Sequence, residues 1–176
     1  MDFKTFQKSI DLVKYWREKE SKLPHEWPDP RDPSFSKYLE ESGAVAQDLE
    51  KSLVALCCWR EGRTEMYPGM SAVLHVLVNR EKKGVHRSHL TDVETFSMGY
   101  PDNPHKEDYP EEEINFTRLL ENLDVVLAGK TFDSTNGSQY FTEKGYYIPP
   151  NFVKLSVVGS LIFYRNYDKS LDTGKV

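Results

Sequence analysis

The sequence predicts an α+β fold, mainly helical, on three observations. Four stretches before Gly129 carry apolar residues at helical spacing. Turn chemistry begins directly after Gly129, in Thr131 to Gly137. Runs rich in Tyr, Phe, Val and Ile, which favour strands, occupy most of the remaining chain.

The first helix is expected over residues 2–20, where Phe3, Phe6, Ile10, Val13 and Trp16 fall on one face. It should stop near Ser21, because Pro24, Pro28, Pro30 and Pro33 follow closely. Residues 22–35 read as an extended loop, either a strap packed by Trp27 and Phe35 or a linker to a small N-terminal appendage. A second helix is expected from Ala44 to Trp59, with Val45, Leu49, Leu53, Leu56 and Cys57 making a stripe wide enough for a central position. Pro68 suits the first position of a third helix, continued by Met70, Val73, Leu74, Leu77 and Val78 and closed near Gly84. Arg80-Glu81-Lys82-Lys83 reads as its solvated end, where cations suit the helix dipole. A fourth helix should begin near Pro110, with Glu111, Glu112 and Glu113 at its positive end and Leu119, Leu120, Leu123, Val126 and Leu127 on its buried face. Residues 85–109 between them read as a long loop, a kind that is often functional. Gln139–Thr142 and Tyr146–Ile148 read as strands, and Val157–Tyr164 as either a strand or a last buried helix. The expected organisation is an N-terminal helix and Pro-rich strap over 1–43, a main domain over 44–168 and a tail over 169–176.

The 176 residues are 38% apolar and 12% aromatic, enough for a real core. The net charge of −5 disfavours nucleic acid as a partner, since that requires clustered Lys and Arg. No apolar run approaches the roughly 18 residues that span a bilayer, and the opening Met1 to Phe6 lacks the features of a secretory signal. The two cysteines, Cys57 and Cys58, are adjacent. Helical neighbours point about 100° apart, so they read as two small buried hydrophobes.

Several chemistries fail on inspection. No Gly-rich phosphate loop and no GxSxG nucleophile elbow occur. His86 and His89 have the spacing to share a metal but no evident third ligand. His25-Glu26 opens like a zinc-protease helix motif, but Pro28 forbids that helix. No metal and no cofactor is expected. The informative segment is Trp59 to Gly69, which joins two apolar helices and sets Glu61 at the end of the first. A carboxyl group at a helix C-terminus with apolar neighbours is held protonated, as a general acid for glycoside cleavage requires. The alternative is an exposed Glu61 paired with Arg63 or Arg60.

Glu61-x-Arg63-x-Glu65-x-x-x-Gly69, followed by a helix ending in Asn79-Arg80, resembles the SleB-type cell wall hydrolases, whose pattern EARGEPxxGQxAVAxVVLNR aligns without a gap. Phe96-Ser97 is similar to the family's QFS. Asp133 to Gly137 with Tyr140-Phe141 is similar to its DPTxGAxYF segment, and Val158-Gly159 through Phe163-Tyr164 to its closing IGxHxFY. The resemblance covers residues 46–165. Gly62, Thr64, Met70 and Thr95 depart from the pattern, and Leu161 stands where the family has His, so any role of that His is absent.

The resemblance implies a lysozyme-like domain with a small β region toward the C-terminus. It implies action on peptidoglycan glycan strands, at the bond between N-acetylmuramic acid and N-acetylglucosamine. Glu61 would be the catalytic acid/base of lytic transglycosylation, a route that needs only one such carboxylate. Hydrolysis becomes the better reading if Glu65 or Asp133 flanks the same bond, although Glu65 also suits a structural carboxylate. Tyr140, Asn136, Phe96 and Ser97 are candidates for binding substrate, with plain strand packing as the alternative for Tyr140 and its neighbour Phe141. Arg63, Glu65, Asn79 and Arg80 are expected to support the site.

The expected setting is a bacteriophage: an endolysin released from the host cytoplasm through a holin, or a virion component in contact with other virion proteins. The competing expectation is a non-catalytic glycan-binding or virion structural protein that keeps the fold.

Overall fold

The computed structural model describes residues 1–23, 26–84 and 109–167. His25, His86, His89, Phe96 and Ser97, and with them the expected loop over 85–109 (except Tyr109) and the tail over 169–176, lie outside the described residues. The described chain forms helices followed by a small antiparallel sheet, the α+β arrangement expected.

Helix α1 (Phe3–Lys19) starts on Asp2, whose carboxylate accepts the Thr5 amide at 2.7 Å. It buries Phe6, Ile10, Leu12 and Val13, and the Phe6 ring meets Phe116 edge-on at 4.8 Å. The strap packs through Trp27 and Phe35, both buried. It then forms a 3-10 turn (Pro33–Phe35) and a short helix α2 (Ser36–Ser42), which apolar periodicity did not signal because only Tyr38 of α2 is buried.

Helix α3 (Ala46–Gly62) is the central element, buried at Leu49 and from Ser52 through Cys58. It runs three residues beyond the expected end and so includes Glu61. A 3-10 turn (Arg63–Glu65) leads into α4 (Met66–Lys82), which begins two residues before Pro68, proline being tolerated in a first turn. Gly84, at φ 67°, closes α4. The expectation of a fully solvated end requires correction at Arg80, which is buried while Glu81, Lys82 and Lys83 are exposed. Helix α5 (Ile114–Leu127) starts later than Pro110 because Glu113 serves as its cap, accepting the Asn115 and Phe116 amides.

The sheet has the order β1-β3-β2, formed by β1 (Tyr140–Glu143), β2 (Phe152–Val158) and β3 (Leu161–Asn166). Val157–Tyr164 is therefore neither one strand nor a helix. It folds back at Gly159, whose φ of 57° suits a tight hairpin turn. Tyr146–Ile148 is not a strand; it lies in the β1–β2 connection with Tyr146 and Tyr147 exposed. Leu161 and Phe163 face the core, and Phe141 packs beside them. Tyr140, Tyr164 and Phe152 pack together on the opposite face, the first two stacked at 5.8 Å.

Helices α3 and α4 touch backbone to backbone. A Cβ on Gly62 would lie 2.6 Å from the Gly69 carbonyl carbon, and one on Gly69 would lie 2.5 Å from the Gly62 oxygen. Gly62, which stands where the resembled family has Ala, is thus required here by close approach.

Candidate functional site

Glu61 sits half-buried in the last turn of α3, next to this crossing. Fully buried Cys58 lies one turn earlier, and burial first, then the Glu61 charge, pushes its thiol well above the ordinary range. Both cysteines are buried thiols that serve as packing. The neighbouring arginines turn onto aromatic rings: Arg63 over Trp59 at 4.3 Å, and Arg60 over Trp27 at 5.1 Å and Tyr109 at 5.9 Å.

Glu65 is committed elsewhere. Its Oε1 accepts the Ser160 amide at 2.8 Å and the Ser160 hydroxyl at 2.6 Å. Its carboxylate fills the space where Gly159 lacks a side chain. The hydroxyl and amide of Ser160 together hold the carboxyl below its ordinary range. Glu65 therefore bolts the β2–β3 turn to the joint between α3 and α4. Met66, the next residue, has φ 56° and ψ −153°, a conformation suited to glycine. Because its side chain is exposed, Met66→Gly is expected to stabilise the fold by about 1 kcal/mol and raise Tm by roughly 2–4 °C. A fall in Tm on thermal denaturation would refute strain at this joint.

Two separated motifs meet through Asn79 and Asp133. Asn79 Nδ2 donates to Asp133 Oδ2 at 2.9 Å and to the Ser138 carbonyl at 3.1 Å. Asp133 also accepts the Thr135 amide and hydroxyl on Oδ1 and the Gly137 amide on Oδ2. Burial alone would raise its pKa, but these hydrogen bonds prevail and hold it below the ordinary carboxylate range. Asp133→Ala strands several donors and should cost about 2–3 kcal/mol, or roughly 4–12 °C in Tm. Since the folded pKa is depressed, this contribution is full above the unfolded value of about 3.9 and lost as pH falls through the folded one. The Tm gap between native and variant should therefore narrow below about pH 4; a gap unchanged at pH 3 would show that ionisation plays no part.

Arg80 lies under Tyr140, its guanidinium carbon 5.6 Å from the ring centre. Asn136 adopts φ 54° at the turn, exposed, with its amide 3.4 Å from the Leu155 carbonyl. The structure thus joins Asn79 to Asp133 and Arg80 to Tyr140, and brings Glu65 to the hairpin turn. Ser160, Thr135 and Tyr164 contribute contacts that the sequence reading did not single out. Only for Thr135 was there a local signal, the Asp-x-Thr turn.

A cleft of about 660 Å³ lies in the strap, lined by Trp16, Glu20, Glu26, Trp27, Asp32 and Phe35 among others. Its carboxylates are spent on structure: Glu20 on Lys37 and Tyr38, Asp29 on Arg31, Asp32 on the Ser34 amide and Glu26 on the Leu23 amide. We read it as a fold by-product. Among the described residues no cluster of His, Cys, Asp and Glu could hold a metal. Nor is any described helix long and apolar enough to cross a membrane. Comparison with protein-family models, curated proteins and solved structures returned no match.

Proposed function

We propose that this protein cleaves the bond between N-acetylmuramic acid and N-acetylglucosamine in peptidoglycan by lytic transglycosylation, with Glu61 as the single acid/base. The carrying observation is how the three carboxylates differ. Glu61 is half-buried at the carbonyl end of the central helix, beside a buried thiol. Glu65 and Asp133 are both committed to amide and hydroxyl donors that hold the β region in place. A carboxylate so held is a poor nucleophile or base, which favours a route that needs no second one.

Glu61 first protonates the bridging oxygen, and the bond from that oxygen to the muramic anomeric carbon breaks. The resulting carboxylate then takes the proton of the muramic C6 hydroxyl, whose oxygen attacks the same anomeric carbon. The product is a 1,6-anhydro sugar, no water is consumed, and Glu61 ends protonated as it began. Tyr140, stacked on Tyr164 on the sheet face away from the core, offers an aromatic surface suited to the apolar face of a sugar. Asn136, exposed at the neighbouring turn, offers an amide for an N-acetyl group. We propose that this activity serves bacteriophage lysis or entry.

The test is to digest purified peptidoglycan and identify the products by mass spectrometry. Anhydro-muropeptides are expected. Reducing-end muropeptides, heavier by one water, would make the protein a hydrolase and require a second carboxylate. No products from a folded protein would sink the catalytic reading.

A further inference from the structure

Trp27 of the strap carries two guanidinium groups over its ring, from different helices. Arg17 of α1 lies 4.3 Å from the ring centre and Arg60 of α3 lies 5.1 Å from it. Tyr109 closes the group: its ring lies 5.9 Å from Arg60, and its hydroxyl accepts from Arg17 Nη1 at 3.0 Å. Arg17 Nε donates to the Glu26 carbonyl at 2.9 Å. Among the described residues, Arg60 Nε and Trp27 Nε1 are both buried without a hydrogen-bond acceptor. The ion pairs among the described residues do not include Arg60.

Interiors seldom leave such donors unmatched, and unmatched groups often mark the place of an ion. Burial, together with the nearby Arg17 charge, presses Arg60 below the ordinary arginine value, so the cation is held there at a cost. Arg17, Arg60 and Tyr109 are each only half-buried, so the cluster reaches solvent. A guanidinium stacked on rings keeps the edge of its plane for bidentate binding of an oxyanion.

We propose that Arg60, flanked by Arg17 on Trp27, forms an oxyanion-binding site beside Glu61 that holds a carboxylate or phosphate carried by the glycan substrate. The site stands on its own geometry; only its assignment to the glycan rests on the function proposed above. Arg60 directly precedes Glu61, and successive helical residues diverge by about 100°. The anion is therefore held to one side of the reacting bond, as suits a substituent arm rather than the sugar ring being cleaved.

The three tryptophans give three indole N–H signals in a nitrogen–proton correlation spectrum, and Trp27→Phe identifies that of Trp27. The full chain is titrated at constant ionic strength with inorganic phosphate, with muramyl dipeptide as the carboxylate and with neutral chitotetraose. A saturable shift of the Trp27 signal is expected with an anion and not with chitotetraose. Arg60→Gln should weaken it about tenfold or more, and Arg60→Lys, which keeps the charge but loses the fork, should weaken it less. Preference for muramyl dipeptide assigns the peptide arm, and preference for phosphate assigns a phosphate-bearing wall polymer. Absence of a saturable shift with both anions, or unchanged affinity in folded Arg60→Gln or Arg60→Lys, overturns the site. Binding is read without turnover, so an inactive protein that still binds would refute the function and leave this site standing.

Discussion

Replacing Glu61 by Gln is expected to lower the rate of peptidoglycan cleavage by about 100- to 10,000-fold, the range over which a positioned general acid acts. The substitution is nearly isosteric, so the last turn of α3 keeps its packing. On the proposed mechanism, what is lost is the transferable proton and, in the second half of the reaction, the base for the C6 hydroxyl. Binding of glycan should persist, because the aromatic and amide groups of the sheet region are untouched. The measurement is initial release of soluble muropeptides, with the variant's Tm within roughly 2 °C of native as the folding control. A folded Glu61→Gln protein that keeps native activity would remove Glu61 from the mechanism. Activity would then have to be sought in other carboxylates, since Glu65 and Asp133 are occupied by Ser160 and by Thr135, Gly137 and Asn79.

A loss of stability together with activity is expected from Gly62→Ala. Gly62 has φ −118°, which any residue adopts, so backbone freedom is not the issue. Space is. The added carbon would lie 2.6 Å from both the Gly69 carbonyl carbon and the Met70 nitrogen and 2.8 Å from the Gly69 oxygen. All three are backbone atoms inside a helix, and none can rotate away. The helices must move apart, which opens the packing around Met70 and shifts Glu61 in the adjoining position. Overpacking of this kind costs about 3 kcal/mol, and the better helix propensity of Ala returns at most about 1 kcal/mol. A net loss of about 2 kcal/mol corresponds to roughly 4–8 °C in Tm, with activity falling as well because Glu61 is displaced. An unchanged melting temperature would mean that the two helices do not meet as closely as described.

Much of the helical architecture was legible because its signals are local. Phe6, Ile10 and Val13 mark the buried face of α1 by spacing alone, as do Leu119, Leu120 and Leu123 for α5. Ends were read less well, since caps depend on single side chains. Glu113 looked like a first-turn residue and is in fact the cap, which moves the start of α5 to Ile114. Tyr146 and Tyr147 have the composition of a strand, yet strands need partners. The register of β1 and β2 on β3 uses Tyr140–Glu143 and Phe152–Val158 and leaves this pair exposed. Propensity cannot see pairing.

The candidate site divides in the same way. Sequence alone determined that Glu61 lies at the end of an apolar helix, that Asp133 to Gly137 is a turn, and that Asn79 and Arg80 lie near the end of α4, because each follows from neighbours along the chain. Only the tertiary structure decided that Asn79 ties down that turn, that Arg80 is buried under Tyr140, and that Glu65 is spent on Ser160. It alone brought Arg17 and Arg60 to one tryptophan. The physical reason is that a carboxylate or guanidinium carries no mark of its partner in its own sequence neighbourhood. Whether it is free for chemistry depends on which donors, acceptors and rings the packing of distant segments sets against it.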